Sequence, residues 1–81
     1  MYYIESADTD EKIYESKSFD AAEIKDVIVN RLQNNPAERL LYYKVKDKAD
    51  TKYVGDHLLG VYENRKGKAA RILTHGYKYL T

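Results

Sequence analysis

The sequence predicts an α+β fold: a small antiparallel sheet, in the order β-β-α-β-β-β, with one amphipathic helix packed on one face. Three observations lead there. One stretch repeats apolar residues at helical spacing between a start and a stop signal. Short runs rich in tyrosine and β-branched residues lie on both sides of it, and polar or glycine-containing loops separate those runs. The 81 residues form a single domain over 1–81, because a second would leave neither half enough chain to close a core.

The helix is expected over residues 21–33. Ala21, Ile24, Val27, Ile28 and Leu32 recur at three- and four-residue intervals, while Glu23, Asp26, Asn30 and Gln33 fall on the opposite side. Asp20 suits the N-cap and Glu23, three residues on, completes a capping-box pattern, with Ser18 as a competing cap. At the far end Arg31 favours the helix dipole, Asn34 or Asn35 is expected to turn left-handed, and Pro36 cannot easily continue the helix.

Tyr2 to Ser6 is the first expected strand and Ile13 to Lys17 the second, joined by the polar loop 7–12 into a hairpin. After Pro36 a single helical turn at most is expected, then a third strand over residues 40–47. Residues 57–63 and 69–75 flank Asn64-Arg65-Lys66-Gly67, where Gly67 supplies the positive φ that a four-residue hairpin turn needs. A helical alternative exists for residues 53–76, since Val54, Leu58 and Val61 also keep helix spacing. Gly55 and Gly60 would each cost such a helix about 1 kcal/mol relative to alanine, which favours strands. Tyr77 to Leu80 reads as a last extended piece. Apolar and aromatic residues do not alternate cleanly with polar ones in Tyr2-Tyr3-Ile4 or Leu40 to Val45, so both sheet faces carry rings and one helix leaves a face open.

Composition narrows the chemistry. The absence of cysteine excludes disulfides, thiol nucleophiles and thiolate metal sites, and favours a cytoplasmic setting. Met1 to Glu5 carries neither a basic start nor an apolar run, so no secretory leader is expected, and no segment approaches the ~20 apolar residues of a membrane span. Net charge is +1, but residues 1–40 hold nine acidic and five basic side chains and residues 41–81 hold four acidic and nine basic. Nine of the ten aromatic residues are tyrosine, a ring with a polar tip suited to half-buried sheet faces and to contact surfaces.

No constellation for catalysis emerges, and no enzyme activity or cofactor is expected. Ser6, Ser16 and Ser18 stand at hairpin ends or the helix cap, where hydroxyls satisfy backbone groups. His57 and His75 flank the last expected turn, but two imidazoles with Asp56 as the only nearby carboxylate make a poor zinc site. Asp8-Thr9-Asp10-Glu11 fails as a calcium loop, since Lys12 and Ile13 stand where an oxygen ligand and a glycine are required. Gly67 lacks the second glycine and the strand-to-helix setting of a phosphate loop.

Two functional expectations follow. The first is a small non-enzymatic interaction protein of the accessory or inhibitor type, such as phages and mobile elements encode. It binds a protein partner through Tyr42, Tyr43, Tyr77 and Tyr79, with a homodimer through the open sheet face as a variant. The second is nucleic-acid binding through Lys44, Lys46, Arg65, Lys66, Lys68 and Arg71, where cations track phosphates and bases stack on interleaved tyrosines. The near-neutral total charge counts against the second.

Overall fold

A computed structural model describes residues 1–44 and 58–81. Their elements are β1 (Tyr2–Ser6), β2 (Lys12–Ser16), α1 (Ala21–Asn34), β3 (Arg39–Lys44), β4 (Leu58–Arg65), β5 (Lys68–Leu73) and β6 (Gly76–Tyr79). All neighbouring strands pair antiparallel in one sheet of spatial order β2-β1-β3-β4-β5-β6, so the expected α+β class and antiparallel sheet are present. The last extended piece is a full sixth strand. The chain leaves β2, runs through α1, and returns as β3 on the opposite side of β1. The first strand therefore lies inside the sheet, flanked by β2 and β3.

The helix begins where its cap residue dictates. Asp20 holds an extended backbone and its carboxylate accepts from the Glu23 N–H at 3.1 Å. At the other end Asn35 keeps φ at −138°, so the expected left-handed residue is not formed. Instead the Asn35 backbone N–H and its Nδ2 both donate to the Arg31 carbonyl, at 2.9 and 3.1 Å, and one side chain does the work of a left-handed cap. Asn35 to Glu38 then closes a turn with Pro36 at its second position, the Glu38 N–H donating to the Asn35 carbonyl at 3.0 Å, in place of another helical turn.

The helical alternative for the third quarter of the chain does not hold among the described residues. Residues 58–65 and 68–73 are strands joined by a two-residue turn, Lys66-Gly67, with φ of 56° and 84°. Two successive positive φ values match the right-handed twist of the flanking strands. Asn64 holds the turn by accepting from the Gly67 N–H at 3.1 Å, while its Nδ2 donates to the Leu32 carbonyl at 3.2 Å. A single side chain thus closes the hairpin and ties it to the end of α1. Val54, Gly55 and His57 lie outside the described residues, as do positions 45–47 of the expected third strand.

Helix α1 lies over β4 and β5 and buries Ile24, Ile28 and Leu32 against Ile4, Leu40, Tyr42, Tyr62 and Ala69. Val27 is only half-buried and Ala21 is exposed, so the stripe that carries the packing is narrower than the spacing implied. Full burial of each of its three large side chains contributes about 2 kcal/mol. A polar brace closes one end. Arg31 of α1 meets Glu38 at 2.6 Å and Glu11 of the β1–β2 loop at 3.3 Å. The fully buried Ser6 accepts from the Asp8 and Thr9 N–H groups at 3.2 and 3.3 Å.

Candidate interaction surface at the β6 end of the sheet

Strand register assigns each tyrosine to a face. Tyr42 pairs with Ile4 and with Gly60, on the side of α1. It is 7% exposed and belongs to the main core. Its hydroxyl has no hydrogen-bond partner among the described residues, and burial followed by the nearby phenols of Tyr2, Tyr62 and Tyr14 pushes its pKa up to about 12. Tyr43 points the other way, pairs with Tyr3, and stacks on it with ring centroids 5.3 Å apart. Both rings are 1% exposed. The Tyr43 hydroxyl donates to Glu5 at 2.9 Å, and burial together with that carboxylate raises its pKa well above the phenol range. Of the four tyrosines expected to form one contact surface, Tyr42 and Tyr43 are therefore buried on opposite faces and offer no ring to a partner.

Tyr77 and Tyr79 are placed differently. They share the face opposite α1 on the edge strand β6, their rings meet edge to face at 5.3 Å, and Tyr77 is 39% exposed. The Arg65 guanidinium stands over the Tyr77 ring and the Lys68 ammonium over the Tyr79 ring, each 5.7 Å from the centroid. Arg65 and Lys68 face each other across the β4–β5 hairpin, beside the exposed Lys66 of its turn. Residues expected separately to bind protein and nucleic acid are thus gathered into one patch.

The remaining cations are scattered. Lys44 stands on the side of α1, its Nζ 5.3 Å from the centroid of Tyr2. Arg71 reaches back to donate to the Leu59 carbonyl at 3.0 Å. Lys46 lies outside the described residues, as does His57, and His75 is exposed in the β5–β6 turn.

Beyond the patch, the face opposite α1 is buried at Tyr3, Tyr43 and Ala70 and carries partly exposed cross-strand rows elsewhere. Leu41 lies beside Val61 and Ile72 beside Tyr77, all on this face and all partly exposed. A charged row follows, Arg39 beside Glu63, with Glu63 accepting from Arg39 at 3.0 Å and from Arg65 at 3.1 Å. An apolar centre with a charged rim is the anatomy of a protein contact surface.

The local charge is more lopsided than the division into halves suggested. Residues 64–81 include Arg65, Lys66, Lys68, Arg71 and Lys78 and no acidic residue. In the structure these residues make up the end of β4, then β5, β6 and the turns before each, and Glu63 is the one carboxylate paired with a cation of this region among the described residues.

A groove of about 200 Å³ between α1 and the sheet is lined by Phe19, Ile24, Ile28, Tyr42, Tyr62 and Leu80, with the exposed Lys25. Its walls are apolar and the Tyr42 hydroxyl is buried, so little polar chemistry is presented to orient a ligand. Among the described residues no group of three or more histidine, aspartate or glutamate side chains is arranged to hold a metal, and no helix is long and apolar enough to cross a membrane. In comparisons with known proteins, no family model matches the chain, and no curated protein or solved structure matches it.

Proposed function

We propose that this chain is a small non-enzymatic interaction protein of the cytoplasm that binds a macromolecular partner at the β6 end of its sheet and modulates it. One observation carries the reading. Exposed Tyr77 and its neighbour Tyr79 are bracketed by Arg65 and Lys68, at an end of the sheet whose own residues from 64 to 81 include no acid. Glu63 offsets Arg65, but Lys66 and Lys68 have no carboxylate partner among the described residues. A ring beside such cations suits an anionic contact surface, and tyrosine and arginine are the residue types that anchor such contacts.

Affinity capture from a lysate of the source organism, after nuclease treatment, tests this. The wild-type chain is expected to retain a protein that Arg65→Glu with Lys68→Glu loses while remaining folded. Equal retention by that variant contradicts the placement of the surface.

The cations Arg65, Lys66 and Lys68 also favour a second reading, in which the same patch binds the phosphates of single-stranded nucleic acid. That reading requires capture to vanish with nuclease and affinity for oligonucleotides to fall steeply with salt.

A further inference from the structure

Strand β6 ends the sheet, and among the described residues nothing pairs with its outer side. The Leu80 N–H donates to the Ala69 carbonyl at 3.0 Å, which fixes the alternation of the last ladder. Antiparallel ladders alternate between residues that exchange hydrogen bonds and residues that do not. Lys78, opposite Arg71, therefore turns its backbone inward to β5, and Tyr77 and Tyr79 turn their N–H and C=O groups outward. Their side chains lie on the open face, whereas Lys78 lies on the face of α1, directly opposite Arg71. Like charges facing each other across a ladder are destabilising, and neither Arg71 nor Lys78 is paired with a carboxylate among the described residues.

We infer that the partner docks as an extended acidic segment of a protein that adds to the outer edge of β6 as a seventh strand, a deepening that rests on the function proposed above. Its backbone meets the outward N–H and C=O groups of Tyr77 and Tyr79. Its side chains alternate, an aspartate or glutamate beside Lys78 flanked by apolar residues beside Tyr77 and Tyr79. The partner's carboxylate then neutralises the Arg71–Lys78 pair, and the surrounding Arg65, Lys66 and Lys68 attract the acidic segment from a distance.

Two other occupants fit less well. A second copy pairing edge to edge through β6 would set this basic end against itself. Stacked bases need free ring faces, and one face of Tyr77 already carries Arg65 and one face of Tyr79 carries Lys68.

The probe is a labelled heptapeptide of alternating valine and glutamate, titrated against the 15N-labelled chain, beside the same peptide N-methylated at alternate residues and a ten-nucleotide oligothymidine. Saturable binding is expected, with the Tyr77 and Tyr79 amides shifting most, a loss of at least tenfold on methylation, and a similar loss in Lys78→Glu. Methylated and parent peptides binding within twofold of each other would overturn strand addition, as would unchanged affinity in Lys78→Glu. So would oligothymidine binding at β6 without peptide binding, which hands the surface to nucleic acid, or a concentration-dependent dimer that buries β6.

Capture of the partner distinguishes loss of strand addition from loss of the whole surface. If the peptide fails while capture of a nuclease-resistant protein still depends on Arg65 and Lys68, strand addition alone is refuted. If that dependence is also missing, both fall.

Discussion

Arg71 and Lys78 stand directly opposite each other on the β5–β6 ladder, two cations in register. Replacing Lys78 by glutamate turns a repulsive cross-strand pair into an attractive one, worth about 0.2–1 kcal/mol. Lys78→Glu is therefore expected to raise the urea midpoint at low salt while weakening partner binding at least tenfold. A variant that gains stability and loses function separates a binding residue from a structural one, and parallel urea and binding titrations read both.

Tyr42 offers the converse. Its hydroxyl is buried without a partner among the described residues, and an unsatisfied buried polar group costs about 1–3 kcal/mol. Tyr42→Phe removes that group and keeps the ring, so it is expected to be neutral or to stabilise by about 1 kcal/mol and to leave partner binding unchanged. A loss of binding in this variant would return the contact surface to β3.

Asn64 joins the β4–β5 turn to the end of α1 through hydrogen bonds to the Gly67 N–H and the Leu32 carbonyl. Asn64→Ala removes both and is expected to cost about 2 kcal/mol in denaturant unfolding.

The brace of Arg31 and Glu38 gives stability a pH dependence. The hydrogen bond from Arg31 holds the Glu38 carboxyl below the ordinary carboxylate range, against the opposing effect of burial, with Ser6 assisting. A carboxyl lowered in the folded state contributes stability that is complete above its unfolded pKa and is lost as pH falls through the folded value. Glu38→Gln is expected to cost about 2 kcal/mol at neutral pH. The gap to wild type should narrow as pH falls through and below the ordinary carboxylate range in urea unfolding measured across pH. A constant gap would contradict the pairing.

Much of the fold was legible because its signals are local. Asp20 marks the helix start, and the spacing of Ile24, Ile28 and Leu32 marks the buried side. Gly67 identified the hairpin, although the positive φ at Lys66 could not be read from a lysine. Placement of β1 between β2 and β3 depends on pairing between distant segments, which no local pattern encodes.

The site was harder to read for a related reason. In Tyr2-Tyr3 and Tyr42-Tyr43 two identical residues occupy both faces, so the pattern of residue types does not say which ring faces α1. Only register shows Tyr42 and Tyr43 buried and sets Arg71 against Lys78. The run from 64 to 81 without an acidic residue was visible in the sequence, but counting by halves diluted it with Asp47, Asp50, Asp56 and Glu63.

The most direct test of the β6 end as the partner surface is an amide chemical-shift map of the 15N-labelled chain, taken with and without the captured partner. Changes concentrated at residues 65–68 and 76–80, largest at Tyr77 and Tyr79, are the expected result. Changes confined to β2 or to the exposed side of α1, with β6 unmoved, would contradict it.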